Sequence, residues 1–342
     1  MKISHIALEN DVFAAPLAGF SNRAFREILR GQGAGLAYGE MVSAQALCHG
    51  NKRTLELLDI DGEAGPHVAQ LFGSRADYMA EAARMLRDMG ADIIDINMGC
   101  PMPKVVNNGE GAALLRRPLV AASLVEAVAA AGLPTTVKMR IGWDELDTNA
   151  PELARRLEAA GASLLAVHGR YREQYYRGQA DWTQIAAVKQ AVSIPVAANG
   201  DIWEAADALA IRRHSGCDAV MVGRGMLGNP WLMAEITALS RGEPLPNRPS
   251  ARQVLATALA HVRRHVERSV YWHDRHKRDN AAENALAGEL AAIRAMRGHL
   301  GYYVKGMPGA AQLRAQINRL TRIEEIERLF AAYLAANANE QM

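Results

Sequence analysis

The chain has 342 residues, 39 Lys+Arg against 37 Asp+Glu, a formal net charge of +2, and 49% hydrophobic residues. That composition excludes a disordered chain, and the length suffices for one large α/β domain with a smaller companion and a sizeable core. The near-neutral total argues against a nucleic-acid partner only if the charge is evenly spread.

The start, Met1-Lys2-Ile3-Ser4-His5, lacks the apolar run of a secretion signal, and the most apolar stretch, Leu119 to Pro134, is interrupted by Glu126 and too short to cross a bilayer. A soluble cytoplasmic protein without a membrane partner is expected. Short runs of β-branched or small apolar residues end near Ala15, Glu40, Leu71, Asn97, Arg140, His168, Asn199 and Val222, each followed by a helix-like segment. Eight such units predict an α/β fold of the (β/α)8 TIM-barrel type. A doubly wound sheet is the rival, but it wants a Gly-rich nucleotide fingerprint after its first strand, and the sequence has none.

Between the runs, Asp77 to Met89 and Glu152 to Ala160 carry helical periodicity and stop at Gly90 and Gly161. After the eighth run, Pro230, Pro244, Pro246 and Pro249 punctuate the chain. Ser250 is a good N-cap, and only helical periodicity follows it. The chain thus divides into residues 1–240, the barrel, and 241–342, an all-helical C-terminal domain. Cys48, Cys100 and Cys217 lie far apart with no C-x-x-C pair, so no metal site and no disulfide framework is expected.

Active sites of such barrels lie at the C-terminal ends of the strands. Chemically capable residues gather there: Gln70, Asn97 and Cys100, Lys138 and Arg140, His168 and Arg170, Asn199 and Asp201, and Gly223-Arg224-Gly225. Cys100 sits on a Gly- and Asn-rich loop, which suits either a reactive thiol or a small buried apolar residue. Lys138 shares a strand face with Thr136 and Arg140 and needs an anionic or polar partner. An anionic cofactor, a neighbouring carboxylate and a Schiff-base role are the three alternatives. The loops Asn199-Gly200-Asp201 and Gly223-Arg224-Gly225 follow strands seven and eight, where this fold commonly captures phosphate. His168 is either a core histidine or a ligand contact.

The blocks Ala15-Pro16-Leu17-Ala18-Gly19-Phe20, Asn97-Met98-Gly99-Cys100-Pro101, Lys138-Met139-Arg140, His168-Gly169-Arg170, Asn199-Gly200-Asp201 and Val222-Gly223-Arg224-Gly225 resemble, in order, those of the tRNA-dihydrouridine synthases. Tyr303-Val304-Lys305-Gly306-Met307-Pro308-Gly309-Ala310 is similar to the bacterial B-type branch. The resemblance implies FMN-dependent, NADPH- or NADH-driven reduction of the C5–C6 bond of D-loop uridines in tRNA, with position 17 favoured by the branch. It implies that Pro16, Leu17, Ala18, Gln70, Lys138 and His168 meet the flavin. Asn199, Gly200, Asp201, Gly223 and Arg224 would hold its phosphate arm, and Asn97, Arg140 and Arg170 would meet the uracil or its phosphate. Cys100 would protonate C5 as general acid. Leu17 and Ser21 depart mildly from the family's methionine and threonine. A small-molecule flavin oxidoreductase on a similar barrel, dihydroorotate or enoate reductase-like, is the alternative.

Charge is in fact uneven. Residues 241–342 hold 16 Lys+Arg and 10 Asp+Glu, a surplus of +6, which leaves −4 on the barrel. Arg263, Arg264, Arg268, Arg275, Lys277 and Arg278, with His261, His265, His273 and His276 among them, form the densest cluster. A solvated helix face is the plain account of such a run. Joined to an RNA-modifying barrel, it is expected to track tRNA phosphates. A monomer is the default for such an enzyme.

Overall fold

Runs of small and β-branched residues form parallel strands where helices cover their outer side, because such strands are buried on both faces. The computed structural model describes residues 1–276 and 281–337. Strands β1 (Lys2–Ile3) and β2 (Ile6–Ala7) make an antiparallel hairpin. Then β3 (Val12–Ala14), β4 (Leu36–Ser43), β5 (Val68–Phe72), β6 (Ile93–Met98), β7 (Thr135–Arg140), β8 (Ala162–His168), β9 (Val196–Asn199) and β10 (Ala219–Val222) close a barrel, β10 pairing in parallel with β3. The expected (β/α)8 architecture and the helical C-terminal region are both present. The hairpin is additional: Ile3 and Leu8 pack with Phe13, Leu36 and Met221 in a separate buried cluster that includes Tyr38 and Ile93.

Strand parity decides which side chains enter the barrel. In β6, Ile93 belongs to that interior cluster whereas Ile94 and Ile96 belong to the outer core beneath the helices. Asp95 and Asn97 therefore share the interior face with Ile93. Register places Asp95 beside Thr136 and Asn97 beside Lys138, and β8 brings His168 beside both Arg140 and Asn199. Above an apolar floor, the barrel thus turns polar toward the C-terminal ends of its strands.

The predicted helices occur as Ala76–Asp88 and Ala150–Ala159, and Gly90 and Gly161 follow them with φ of +94° and +105°. Such dihedrals cost any residue with a Cβ, which explains the glycines. Beyond the barrel, helices span Ala251–His276, Ala281–Tyr303, Ala310–Ile317 and Ile323–Ala336. Ser250 caps the first: its hydroxyl accepts from the Gln253 amide at 3.3 Å while Gln253 Oε1 accepts from the Ser250 amide at 2.8 Å. These helices seat on the helix Arg23–Gly31. Phe25 stacks on His261 with ring centroids 5.3 Å apart, and Phe20 meets His299 and Tyr302 edge-on. Among the described residues, no helix is long and apolar enough to cross a membrane.

Candidate active site

Parallel strands deliver their last interior side chains to one rim, and there a cavity of about 490 Å³ opens. Its wall includes Pro16, Leu17 and Ala18 after β3, Gln70 of β5, Asn97 and Cys100, Lys138 and Arg140, and His168. Asn199, Gly200, Asp201, Gly223 and Arg224 complete it. Of the residues expected to meet the flavin or the uracil, or to protonate C5, Arg170 alone does not reach this wall.

A buried relay fixes the loop that carries Cys100. Asp95, fully buried, accepts from Thr136 Oγ1 at 2.5 Å and from Gln70 Nε2 at 2.6 Å. Because a carboxylate only accepts, Gln70 must turn its amide nitrogen toward it. Gln70 Oε1 then accepts from Asn97 Nδ2 at 2.9 Å, so Asn97 Oδ1 faces the backbone N–H groups of Gly99 at 3.1 Å and Cys100 at 2.9 Å. One carboxylate thereby sets the direction of two amides and the position of the cysteine. Burial pushes the Asp95 carboxyl up to about 6, opposed by the bonds from Thr136 and Gln70 and by the Lys138 charge.

The cations of the mouth are desolvated. Lys138 donates to Asn199 Oδ1 at 3.2 Å and forms no ion pair among the described residues, so the carboxylate-pair alternative fails. Burial and then the Arg140 charge lower its amine to about 8, against the opposing effect of Asp95. Arg140 ties two loops together, donating from Nε to Gly99 O at 2.8 Å and from Nη1 to Tyr171 O at 2.9 Å. Burial brings it to about 10, so it remains a cation at neutral pH. His168 is held well below its ordinary value by burial and then by Arg140 and Lys138. Arg170 Nη1 lies 3.4 Å from His168 Nε2, and an arginine only donates, so the ring is neutral with its proton on Nδ1. Burial raises the Cys100 thiol above its ordinary value, against the Met102 backbone N–H and the charges of Arg140 and Lys138. The thiol is therefore protonated at neutral pH.

Two expected roles change. Arg170 is 2% exposed and donates to Arg177 O at 3.1 Å, Gly178 O at 2.7 Å and both carboxylate oxygens of Asp201 at 2.7 and 2.8 Å. A guanidinium so saturated braces the loop after β8 rather than meeting a substrate. The same bonds occupy Asp201, which also accepts from the Ala180 amide at 2.8 Å. A carboxylate repels phosphate, so Asp201 shapes the loop beside Gly200 instead of contacting an anion directly. Cys48 and Cys217 lie outside the cavity wall, in keeping with an apolar role.

Sequence reasoning missed Asp95, and it missed the aromatic rim. Tyr176 and Trp203, each 49% exposed, flank Arg224, whose guanidinium carbon lies 4.5 and 5.1 Å from their ring centroids. Tyr302 reaches the same wall from the helix Ala281–Tyr303. Only Asp95 had a signal, its interior parity on a strand already placed.

Of the four described arginines of the basic cluster on the helix Ala251–His276, three are spent within the molecule, while Arg264 is exposed and forms no ion pair among the described residues. Arg263 bonds Glu327, Arg268 bonds Asp59 across to the barrel, and Arg275 lies 4.0 Å from Asp61. His261 is fully buried, and burial lowers His265 to about 4. His273 Nδ1 lies 2.8 Å from Ser269 O. Lys277, Arg278 and the His276 side chain lie outside the described residues.

Against known proteins, the dihydrouridine synthase family model matches residues 13–339. A probable tRNA-dihydrouridine synthase of Rhodobacter capsulatus is 42% identical over 323 residues, covering 94% of each chain. tRNA-dihydrouridine synthase B of Pseudomonas aeruginosa is 39% identical over 322 residues, 94% of this chain and 91% of its own. Among solved structures, the old yellow enzyme homologue from Zymomonas mobilis superposes with a TM-score of 0.51 over 72% of this chain and 93% of its own. At 15% identity that likeness concerns the barrel fold alone. With the blocks from Ala15 to Arg224 now gathered on one cavity wall, the chain belongs to the dihydrouridine synthase family, in its bacterial B-type branch.

Proposed function

We propose that this chain reduces the C5–C6 double bond of a uridine in the D-loop of tRNA, with FMN bound in the barrel mouth and NADPH as reductant. The observation that carries the proposal is the site's chemistry: Cys100, protonated, stands on the same wall as half-buried Lys138, buried Arg140 and neutral His168.

The donor set fits a flavin mononucleotide. Lys138, Arg140 and Arg224 give the wall three cations, while Asp201, the one carboxylate lining it among the described residues, is occupied by Arg170. Gln70, Asn97 and Asn199 offer neutral amides of the kind that meet a heterocycle's edge. Pro16, Leu17 and Ala18 supply a smooth apolar backing for a flat ring. Gly200, Gly223 and Arg224 would take the phosphate arm, since glycine lets backbone N–H groups approach an anion and arginine adds a fork of donors. When bound, the flavin supplies a hydride to C6 of the pyrimidine.

The chain's own residues do the rest. Asn97 and Arg140 would orient the uracil, Arg140 also drawing the charge that develops on its carbonyl side. Cys100 would give its proton to C5, a role its raised thiol value suits. Lys138, cationic at neutral pH, would sit at the flavin's electron-rich edge. Uracil inside a folded tRNA is not exposed, so the base must be extruded into the mouth at a cost of a few kcal/mol. Tyr176, Trp203 and Tyr302 on the rim would stack on it or on its neighbours. Residues 1–240 would act as the catalytic barrel and 241–342 as the RNA-binding part of a cytoplasmic monomer, with position 17 as the target.

Colour and kinetics test the proposal. The purified protein is expected to be yellow and to oxidise NADPH faster with unmodified tRNA. Acceleration by orotate or an enoate, and none by tRNA, would overturn it in favour of a small-molecule reductase.

A further inference from the structure

Helix-interior glycines weaken a helix relative to alanine, so each needs a reason. In the helix Ala281–Tyr303, Gly288 has one: a Cβ there would sit 2.8 Å from the Val270 backbone, where the preceding long helix crosses. Gly298 and Gly301 have no such constraint. A Cβ on Gly298 would meet the Phe20 ring at 3.4 Å, and one on Gly301 would meet Arg314 Cδ at 3.6 Å, both ordinary contacts. Packing tolerates alanine at both sites.

What the two glycines do is lower one wall of a second cavity. It measures about 330 Å³ and is lined by Gly298, Gly301, Tyr302, Arg297, Lys305 and Arg314, with Ile317 and Asn318 at its far side. None of the three cations forms an ion pair among the described residues, unlike Arg263, Arg268 and Arg275. Arg297 spends Nη2 on Leu320 O at 3.1 Å, yet its Nε is buried without a hydrogen-bond partner. A buried donor left unbonded beside two unpaired cations calls for an acceptor carrying negative charge.

The groove is joined to the active-site mouth. Tyr302 lines both cavities. Its backbone is pinned by the loop after β10, where Gly228 (φ +73°) approaches so closely that a Cβ would collide with the Tyr302 carbonyl. The groove therefore has a fixed position beside the mouth.

We propose that this groove seats the phosphodiester backbone of the tRNA next to the nucleotide whose base enters the mouth, Lys305 and Arg314 pairing with phosphate and the bare backbone at Gly298 and Gly301 giving the strand room. The proposal rests on the tRNA function above and names the surface that positions it. It moves the phosphate contact from the long helix Ala251–His276, where three of the four described cluster arginines are ion-paired, to a groove whose three cations all lack an ion pair among the described residues. Phosphate contacts of this kind fix register without reading sequence.

The test uses the full-length holoprotein, unmodified tRNA and two variants that substitute no residue of the mouth. In Lys305→Glu/Arg314→Glu, the slope of log affinity against log salt is expected to become shallower by roughly one to two units. Gly301→Leu, which fills the groove without changing charge, is expected to raise the tRNA Kd at least about threefold at fixed salt. Flavin content and NADPH oxidation without tRNA, which report folding and the mouth, should match wild type in both. Wild-type affinity and slope in both variants overturn the groove while leaving the tRNA function intact. A wild-type protein that binds no tRNA overturns both.

Discussion

The barrel mouth and the long helix Ala251–His276 are both rich in cations, but the two sets are held in opposite ways. Lys138 and Arg140 are desolvated and contact neutral amides or carbonyls, so their charge is undiluted and directed into the cavity. Arg263 and Arg268 are matched to carboxylates that neutralise them, and Arg263 is half exposed to solvent besides. Charge in a dry cavity acts strongly on a reacting group, whereas paired and screened surface charge contributes little. The number of basic residues in a stretch of sequence is therefore a poor guide to where a polyanion binds.

The comparison breaks most visibly at the mouth. Cys100→Ala should lower dihydrouridine formation about 10²- to 10⁴-fold, the usual worth of a positioned acid, while flavin content and its reduction by NADPH stay at wild-type levels. Full turnover in that variant would remove the cysteine from the chemistry. Asp95→Asn comes next. An isosteric amide no longer dictates which way Gln70 and Asn97 point, so kcat should fall roughly 10- to 100-fold with the KM for tRNA unchanged. A change confined to KM would mean that the relay acts on RNA binding and not on the Cys100 loop.

Proton titration sharpens the contrast. Lys138 is a cation below about 8 and loses its charge as the pH rises through that value. Affinity for the flavin should therefore be flat from pH 6 to near 8 and then weaken, at most roughly tenfold per pH unit. Fluorescence of released flavin measures it, and a profile level to pH 10 would show that Lys138 meets no electron-rich group. The smallest effect is expected on the long helix. Arg263→Glu removes one exposed pair with Glu327 and should change tRNA affinity less than about twofold and stability by less than about 1 kcal/mol. A tenfold loss of tRNA binding would restore that helix as the phosphate track.

Much of this was legible in the sequence because strand ends and strand parity are local properties. The eight runs, the caps at Gly90, Gly161 and Ser250, and the gathering of Cys100, Lys138, Arg140, His168 and Asn199 all follow from spacing and residue type. What was not legible depends on distant partners. Glu327 neutralises Arg263 across 64 residues and Asp59 neutralises Arg268 across 209. No local pattern announces such a pair. Arg170 read as a contact to the uracil or its phosphate for the same reason, since Asp201 lies 31 residues away and the carbonyls of Arg177 and Gly178 carry no mark in sequence. Tyr302 was hidden by its place in a helix far from the barrel, where an aromatic reads as core.

The most direct test of the central claim is mass-spectrometric mapping of dihydrouridine in unmodified tRNA after incubation with the purified protein and NADPH, wild type beside Cys100→Ala. The account predicts one new dihydrouridine in the D-loop, at position 17, with the wild type and almost none with the variant. An unchanged tRNA in the wild-type reaction, or equal product in both, would contradict it.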